Sequence, residues 1–146
     1  MDDVPELYFE PFPSEDLRQF VEDQVANFTM VLTGASDYQP VGFFLHHPRG
    51  EWLGGCMGMI WAGYLHVQWL WVAPGWRGRG QGQRLLEAAE LMAYEHGARN
   101  ATLDTFNPEA KAFYQRRGYA VFGELPDYPP GFSKFFLKKT LPAPTH

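Results

Sequence analysis

Four glycines within eight residues, Gly75, Gly78, Gly80 and Gly82, are interleaved with Arg77, Arg79 and Arg84, and no acid interrupts them. Glycine leaves the backbone bare enough for its N–H groups to close around phosphate oxygens. A helix starting at the same place adds a dipole that favours an anion. The chemistry this stretch can do is to hold a phosphate-bearing molecule, and spacing separates the candidates. A nucleotide-hydrolysing loop needs two glycines five apart, then Lys and Ser or Thr for the terminal phosphates and magnesium. Gly75 and Gly80 have that spacing, but Gln81 and Gly82 follow. A dinucleotide fingerprint needs Gly-x-Gly-x-x-Gly. Counted from Gly78 the sixth position is Gln83, and counted from Gly80 it is Leu85. NTP hydrolysis and nucleotide-dependent oxidoreduction are both disfavoured.

The elements that position this turn can be read on either side of it. Tyr64–Val72 is an apolar strand running into the turn. After it, Leu85, Leu86, Ala88, Ala89, Met92 and Ala93 recur at helical spacing on a helix that Gly97 ends. Upstream, Ser14 caps a helix carrying Leu17, Phe20, Val21, Val25 and Phe28, which stops near Gly34. Val41–His46 and Trp52–Trp61 read as strands, the second bulged at Gly54 and Gly55, and Ala62 and Gly63 turn the chain into Tyr64–Val72. Downstream, Ala101–Phe106 is a strand, Asn107-Pro108-Glu109 starts a helix, and Arg116, Arg117 and Gly118 end it. Tyr119–Gly123 and Ser133–Lys139 close the chain as strands. The expectation is one domain over residues 1–146, of α/β (α+β) class, with a mixed sheet and helices on both faces.

Arg77-x-x-Gly80-x-Gly82, placed after a strand ending in Val72 and before Leu85-Leu86, resembles the pyrophosphate signature of the GCN5-related N-acetyltransferases, the GNAT family. A second segment is similar to that family's later motif: Asn107 precedes a helix that carries Phe113 and Tyr114 and ends in Gly118-Tyr119. The resemblance covers some two-thirds of the chain and implies a GNAT fold, a mostly antiparallel sheet splayed at its centre. It implies acetyl-CoA as co-substrate, in a cleft between the Tyr64–Val72 and Ala101–Phe106 strands. The pyrophosphate would lie on the backbone of Gly78, Arg79, Gly80, Gln81, Gly82 and Gln83, beside Arg77, with Arg79 reaching the 3′-phosphate or staying solvated. The backbone of Leu70 and Val72 would pair with the pantetheine arm like an added strand, and Asn107 would touch the cofactor as well as cap its helix. Tyr114 matches the family's tyrosine near the thioester sulfur, where a phenol can return a proton to the departing thiolate.

By the same resemblance a primary amine attacks the thioester directly in a ternary complex. His66, eleven residues before Arg77, stands where some members carry a glutamate base, and a neutral imidazole can do that work near neutral pH. Glu51, Asp104, Glu124 or a water chain remain open for this role. The alternative is a non-catalytic CoA-binding regulatory module. Dimers are common among similar proteins, but no residue here demonstrates one.

Composition narrows the partners. Residues 1–23 hold eight carboxylates and one arginine, so the net charge of −5 leaves the remainder at +2. An acidic chain without a basic stripe is a poor nucleic-acid binder. A lone cysteine, Cys56, an acidic start and no long apolar run point to a cytoplasmic protein without a membrane segment. No histidine is placed near Cys56 by any motif, so it reads as a buried small hydrophobe. The histidines lack metal-ligand spacing, and no metal is expected. Trp61, Tyr64, Trp69, Trp71 and Tyr128 are candidates for an aromatic acceptor pocket, at least half of them reading as core. The acceptor is then a small-molecule amine or a peptide amine.

Overall fold

A computed structural model describes residues 3–36 and 38–144. The chain divides into two compact units, Met1–Ser36 and Asp37–His146. The first is built on one helix, α1 (Glu15–Thr33). The Ser14 hydroxyl accepts from the Leu17 N–H at 3.1 Å, Glu15 and Asp16 occupy the first turn, and Gly34 ends the helix at φ +72°. Each signal has its reason: the cap satisfies an orphan donor, the acids face the positive end of the dipole, and glycine takes the left-handed bend without a Cβ clash.

The second unit carries six strands, β1 (Tyr38–His46), β2 (Trp52–Trp61), β3 (Tyr64–Val72), β4 (Asn100–Thr105), β5 (Ala120–Pro126) and β6 (Ser133–Thr140). They form one sheet in the order β1-β2-β3-β4-β6-β5. Helix α2 (Gln81–Glu95) makes the crossover between β3 and β4, the parallel pair, and α3 (Pro108–Arg116) joins β4 to β5. The remaining neighbours are antiparallel. The expected mixed, mostly antiparallel α+β architecture is the one that forms.

Two strand limits differ from expectation by more than one residue. β1 begins at Tyr38 rather than Val41 and takes in Pro40, while β5 runs past Gly123 to Pro126. Both are edge strands, where a residue without an N–H need not break the ladder. The bulge also lies elsewhere than expected. Gly54 and Gly55 pair in register with Val72 and Trp71, whereas Met57 opposes Trp69 and Gly58 opposes Val67, leaving Gln68 as the extra residue in β3. A second shift falls between Leu45 and His46, opposite Leu53. Glycine at 54 and 55 serves close approach instead: a Cβ at Gly54 would come 2.9 Å from the Trp71 carbonyl, and one at Gly55 would come 2.8 Å from the Phe44 ring.

The core lies between α2 and the strands. Leu85, Leu86, Ala89 and Ala93 meet Leu65, Val67, Ala101, Leu103 and Leu137, and Cys56, Tyr114 and Tyr119 are buried with them. No helix among the described residues is long and apolar enough to cross a membrane.

The feature that makes the site is where pairing stops. β3 and β4 are in register only over Tyr64–His66 and Asn100–Thr102. β4 then continues beside β6 as far as Thr105, so β3 beyond His66 has β2 alone as its neighbour. The sheet is splayed at its centre.

Candidate active site

A cleft of about 620 Å³ opens where β3 and β4 part, closed at one end by the start of α2 and along its length by α3. Of the residues expected to hold a cofactor, Leu70, Val72, Arg77, Gly78, Gly80, Gln81, Gly82, Gln83, Asn107 and Tyr114 all line it. Arg79 and His66 do not.

The ladder explains how Leu70 and Val72 serve. The Ala73 N–H donates to the Leu53 carbonyl at 2.7 Å, which makes Gly54 and Val72 a non-hydrogen-bonded pair. The N–H and C=O of Val72 therefore turn away from β2 towards the gap, and so do those of Leu70 two residues earlier. A strand-like ligand has a free edge to pair with. Arg77 complicates that edge, because its Nε–H donates to the Val72 carbonyl at 2.7 Å and ties the turn back onto the strand.

The turn presents amides. Gly78 and Gly80 hold φ of +74° and +80° with no atom within 4 Å of where a Cβ would stand, so backbone conformation is what requires glycine there. Gly80 is the N-cap of α2 and supplies no side chain to cap it. The first helical bond runs from the Arg84 N–H to the Gly80 carbonyl, so the amides of Gln81, Gly82 and Gln83 have no partner within the helix. Three donors at the positive end of a fifteen-residue helix suit a phosphate. Arg77, Arg116 and Arg117 line the cleft against one acid, Glu109, so this surface is cationic on a chain of net charge −5. Arg79 instead places its guanidinium 5.1 Å from the Trp76 ring centroid, outside the cleft.

Asn107 lines the cleft and caps α3 as well, its Oδ1 accepting from the Glu109 N–H at 2.9 Å. Seven residues on, Tyr114 is 8% exposed, edge-on to the rings of Phe113 and Tyr119 at 5.3 and 5.7 Å. Burial pushes its hydroxyl up to about 12, with the Cys56 thiol and the Asp104 carboxylate adding to the shift. Cys56 itself is buried, and burial, followed by the charge of Glu90, pushes its thiol up to about 11. It is the small buried residue expected, and at neutral pH its sulfur is not a nucleophile.

His66 is not brought into the cleft. It forms the last β3–β4 pair, opposite Thr102, and alternates with Leu65 and Val67, whose side chains point into the core that Tyr114 joins. The imidazole therefore stands half-buried at the apex of the splay, on the other face of the sheet. That face also carries Tyr64, Trp69 and Trp71, all exposed. None of the five aromatics proposed for an acceptor pocket is in the core: Tyr128 is exposed and Trp61 half-buried.

Sequence reasoning missed Glu90, Phe113 and Arg117. Glu90 is a buried acid in α2 whose oxygens accept from the Tyr119 hydroxyl at 2.7 Å and from Lys139 Nζ at 2.8 Å. Burial, then the neighbouring Glu90 carboxylate, raises the Tyr119 hydroxyl far above its ordinary range. The signal for Glu90 was present: an acid four residues after Leu86 and three before Ala93 falls on the apolar stripe.

Comparison with known proteins agrees with this geometry. The profile of the acetyltransferase (GNAT) family matches residues 1–119. A blasticidin-S acetyltransferase of Streptomyces morookaense is 44% identical over 94 residues, 64% of this chain and 69% of that protein. An acetyltransferase of Agrobacterium fabrum is 31% identical over 119 residues, 82% of this chain and 87% of that one. The crystal structure of an Agrobacterium tumefaciens protein assigned as an acetyltransferase superposes with a TM-score of 0.88 at 27% identity, covering 93% of this chain and 99% of that one. With a splayed sheet, an uncapped helix start and a cationic cleft that suit a CoA thioester, the chain belongs to the GNAT family and is an acetyl-CoA-dependent acetyltransferase.

Proposed function

We propose that residues 1–146 act as one N-acetyltransferase domain that moves the acetyl group of acetyl-CoA to a primary amine by direct attack in a ternary complex. The observation that carries this reading is the end of β3–β4 pairing at His66 and Thr102, which opens the strand edge of Leu70 and Val72 beside Tyr114. In this reading the amides of Gly78 to Gln83, with Arg77, hold the diphosphate. Leu70 and Val72 align the pantetheine arm with their backbone, and Asn107 touches it from the start of α3. Acetyl-CoA contributes an acyl group on a thiol that must leave. Tyr114 keeps its proton at neutral pH, because its hydroxyl is pushed up to about 12, and can hand it to the leaving sulfur. His66, on the opposite face at the apex, takes the proton of the incoming amine.

The Streptomyces relative is named for blasticidin S, so a small-molecule amine of that kind is the first acceptor to test. Purified protein with acetyl-CoA and blasticidin S, or with a lysine-containing peptide, should yield N-acetyl product and CoA in equal amounts, detected by mass spectrometry. Initial-rate lines should intersect when both substrates are varied. Parallel lines would mean an acyl-enzyme and overturn direct attack. CoA binding with no amine acetylated would return the chain to a regulatory module.

A further inference from the structure

Arg117 is a cationic group of the cleft wall that is held in place from two sides. It follows α3 as its C-cap residue. Its guanidinium lies 4.4 Å from the Phe113 ring centroid, and its Nη2 donates to Gln83 Oε1 at 3.0 Å. Gln83 in turn donates to Glu87 at 2.8 Å. Stacking and hydrogen bonding thus hold a rigid fork against the first turn of α2, next to amides that no side chain caps. The Nε of Arg117 is buried without a partner, so what this residue offers the cleft it lines is the outer end of its guanidinium. Arg117 lines both the cleft and an adjoining recess of about 200 Å³ that Lys139 also borders.

Two arginines of the turn are engaged elsewhere. Arg77 is tied to the Val72 carbonyl at the strand end, and Arg79 lies on Trp76 outside the cleft. Coenzyme A carries a diphosphate and a separate phosphate on its ribose. The α2 amides and Arg77 match the first. A donor beside that helix turn, planar and permanently charged, matches the second.

We infer that Arg117 recognises the ribose 3′-phosphate of coenzyme A, so that the enzyme selects CoA over thioester carriers lacking that group. The inference rests on the acetyl-CoA reading above. The test is isothermal titration of CoA and of 3′-dephospho-CoA into the wild-type chain and into Arg117→Gln, Arg117→Lys and Arg79→Gln. The wild type should bind CoA about tenfold or more tighter than dephospho-CoA, the size of one hydrogen bond to a charged group. Arg117→Gln should bring that ratio close to one by weakening CoA alone, with Arg117→Lys between. The inference is overturned if Arg117→Gln keeps the wild-type ratio, if both ligands weaken by the same factor, or if Arg79→Gln removes the discrimination instead. Because dephospho-CoA deletes the phosphate from the ligand side, a folding defect in one variant cannot imitate the expected pattern. A wild-type chain binding neither ligand would overturn the acetyl-CoA reading itself, and this inference with it.

Discussion

Replacing Tyr114 with phenylalanine removes one hydroxyl from a ring that Phe113 and Tyr119 already hold in place. The difficulty for a catalytic role is acidity. A phenol pushed up to about 12 is a poor proton donor to a thiolate of ordinary basicity near 8.5, a mismatch on the order of 5 kcal/mol. Cys56 resolves this, because its thiol shares these surroundings, is one of the groups that raise Tyr114, and is itself pushed up to about 11. A thiolate released among equally buried groups is raised in the same direction, which shrinks the mismatch to on the order of 1 kcal/mol. That is small beside the ~10²- to 10⁴-fold that a positioned acid contributes. Tyr114→Phe should therefore lower kcat by about that factor, measured by thiol release, while the Kd for acetyl-CoA measured calorimetrically changes by less than about threefold. The wild-type rate should show no basic limb from Tyr114 between pH ~7 and ~10, since the phenol stays protonated well above that range. A kcat within about fivefold of wild type would reduce Tyr114 to packing and refute the argument.

Two further outcomes concern stability. Lys139→Met leaves the buried Glu90 carboxylate with the Tyr119 hydroxyl alone, which should cost about 3 kcal/mol and lower Tm by about 10 °C. Urea unfolding that shows a loss below about 1 kcal/mol would mean the pair is solvated. Cys56 and Tyr114 both hold their protons more tightly in the folded chain, so their contribution is complete below the unfolded values of 9.0 and 10.0 and is lost as pH rises towards about 11 and about 12. The urea midpoint should stay level to pH ~9 and then fall, and Cys56→Ala should remove the first part of that fall, at most ~3 kcal/mol. An identical decline in the variant would show that the thiol is not the group responsible.

What could be read from the sequence was read from local chemistry. Ser14 with Glu15 and Asp16, Gly34, and Asn107-Pro108 mark helix ends because each acts within a few residues of itself, the caps and the proline by satisfying or removing a backbone donor and Gly34 by taking a left-handed φ. β3 is legible to the residue because Ala62-Gly63 turns the chain with both φ positive, at +52° and +86°, and because the glycine turn ends the strand. The edges of the sheet were less legible, since whether Pro40 and Pro126 can be strand residues depends on having no neighbour on one side. Nothing near those prolines in sequence records that.

The site was half legible for the same reason. The glycine turn is local, so its anion-holding amides follow from spacing. The strand that faces it is not, because everything there depends on Gln68. In an unbroken β3, Trp69 and Trp71 would share the core side with Leu65 and Val67. The extra residue exchanges them, so Leu70 and Val72 pack on the core and line the cleft while both tryptophans stand exposed. A bulge is a count of one strand against its partner, and Met57 against Gly58 is the only place where that count appears. His66 depends on the same strand: its spacing from Arg77 is visible in the sequence, whereas its place at the apex of the splay, on the opposite face from Tyr114, follows from where β3–β4 pairing ends. Arg117 escaped for a different reason. A basic residue at the end of a helix already satisfies a local rule, and its bond to Gln83, 34 positions away, leaves no trace in the pattern that explained it. A residue whose local role is complete can still carry a tertiary one, and the bond that fixes Arg117 against the first turn of α2, in the wall of the cleft, is where that second role shows.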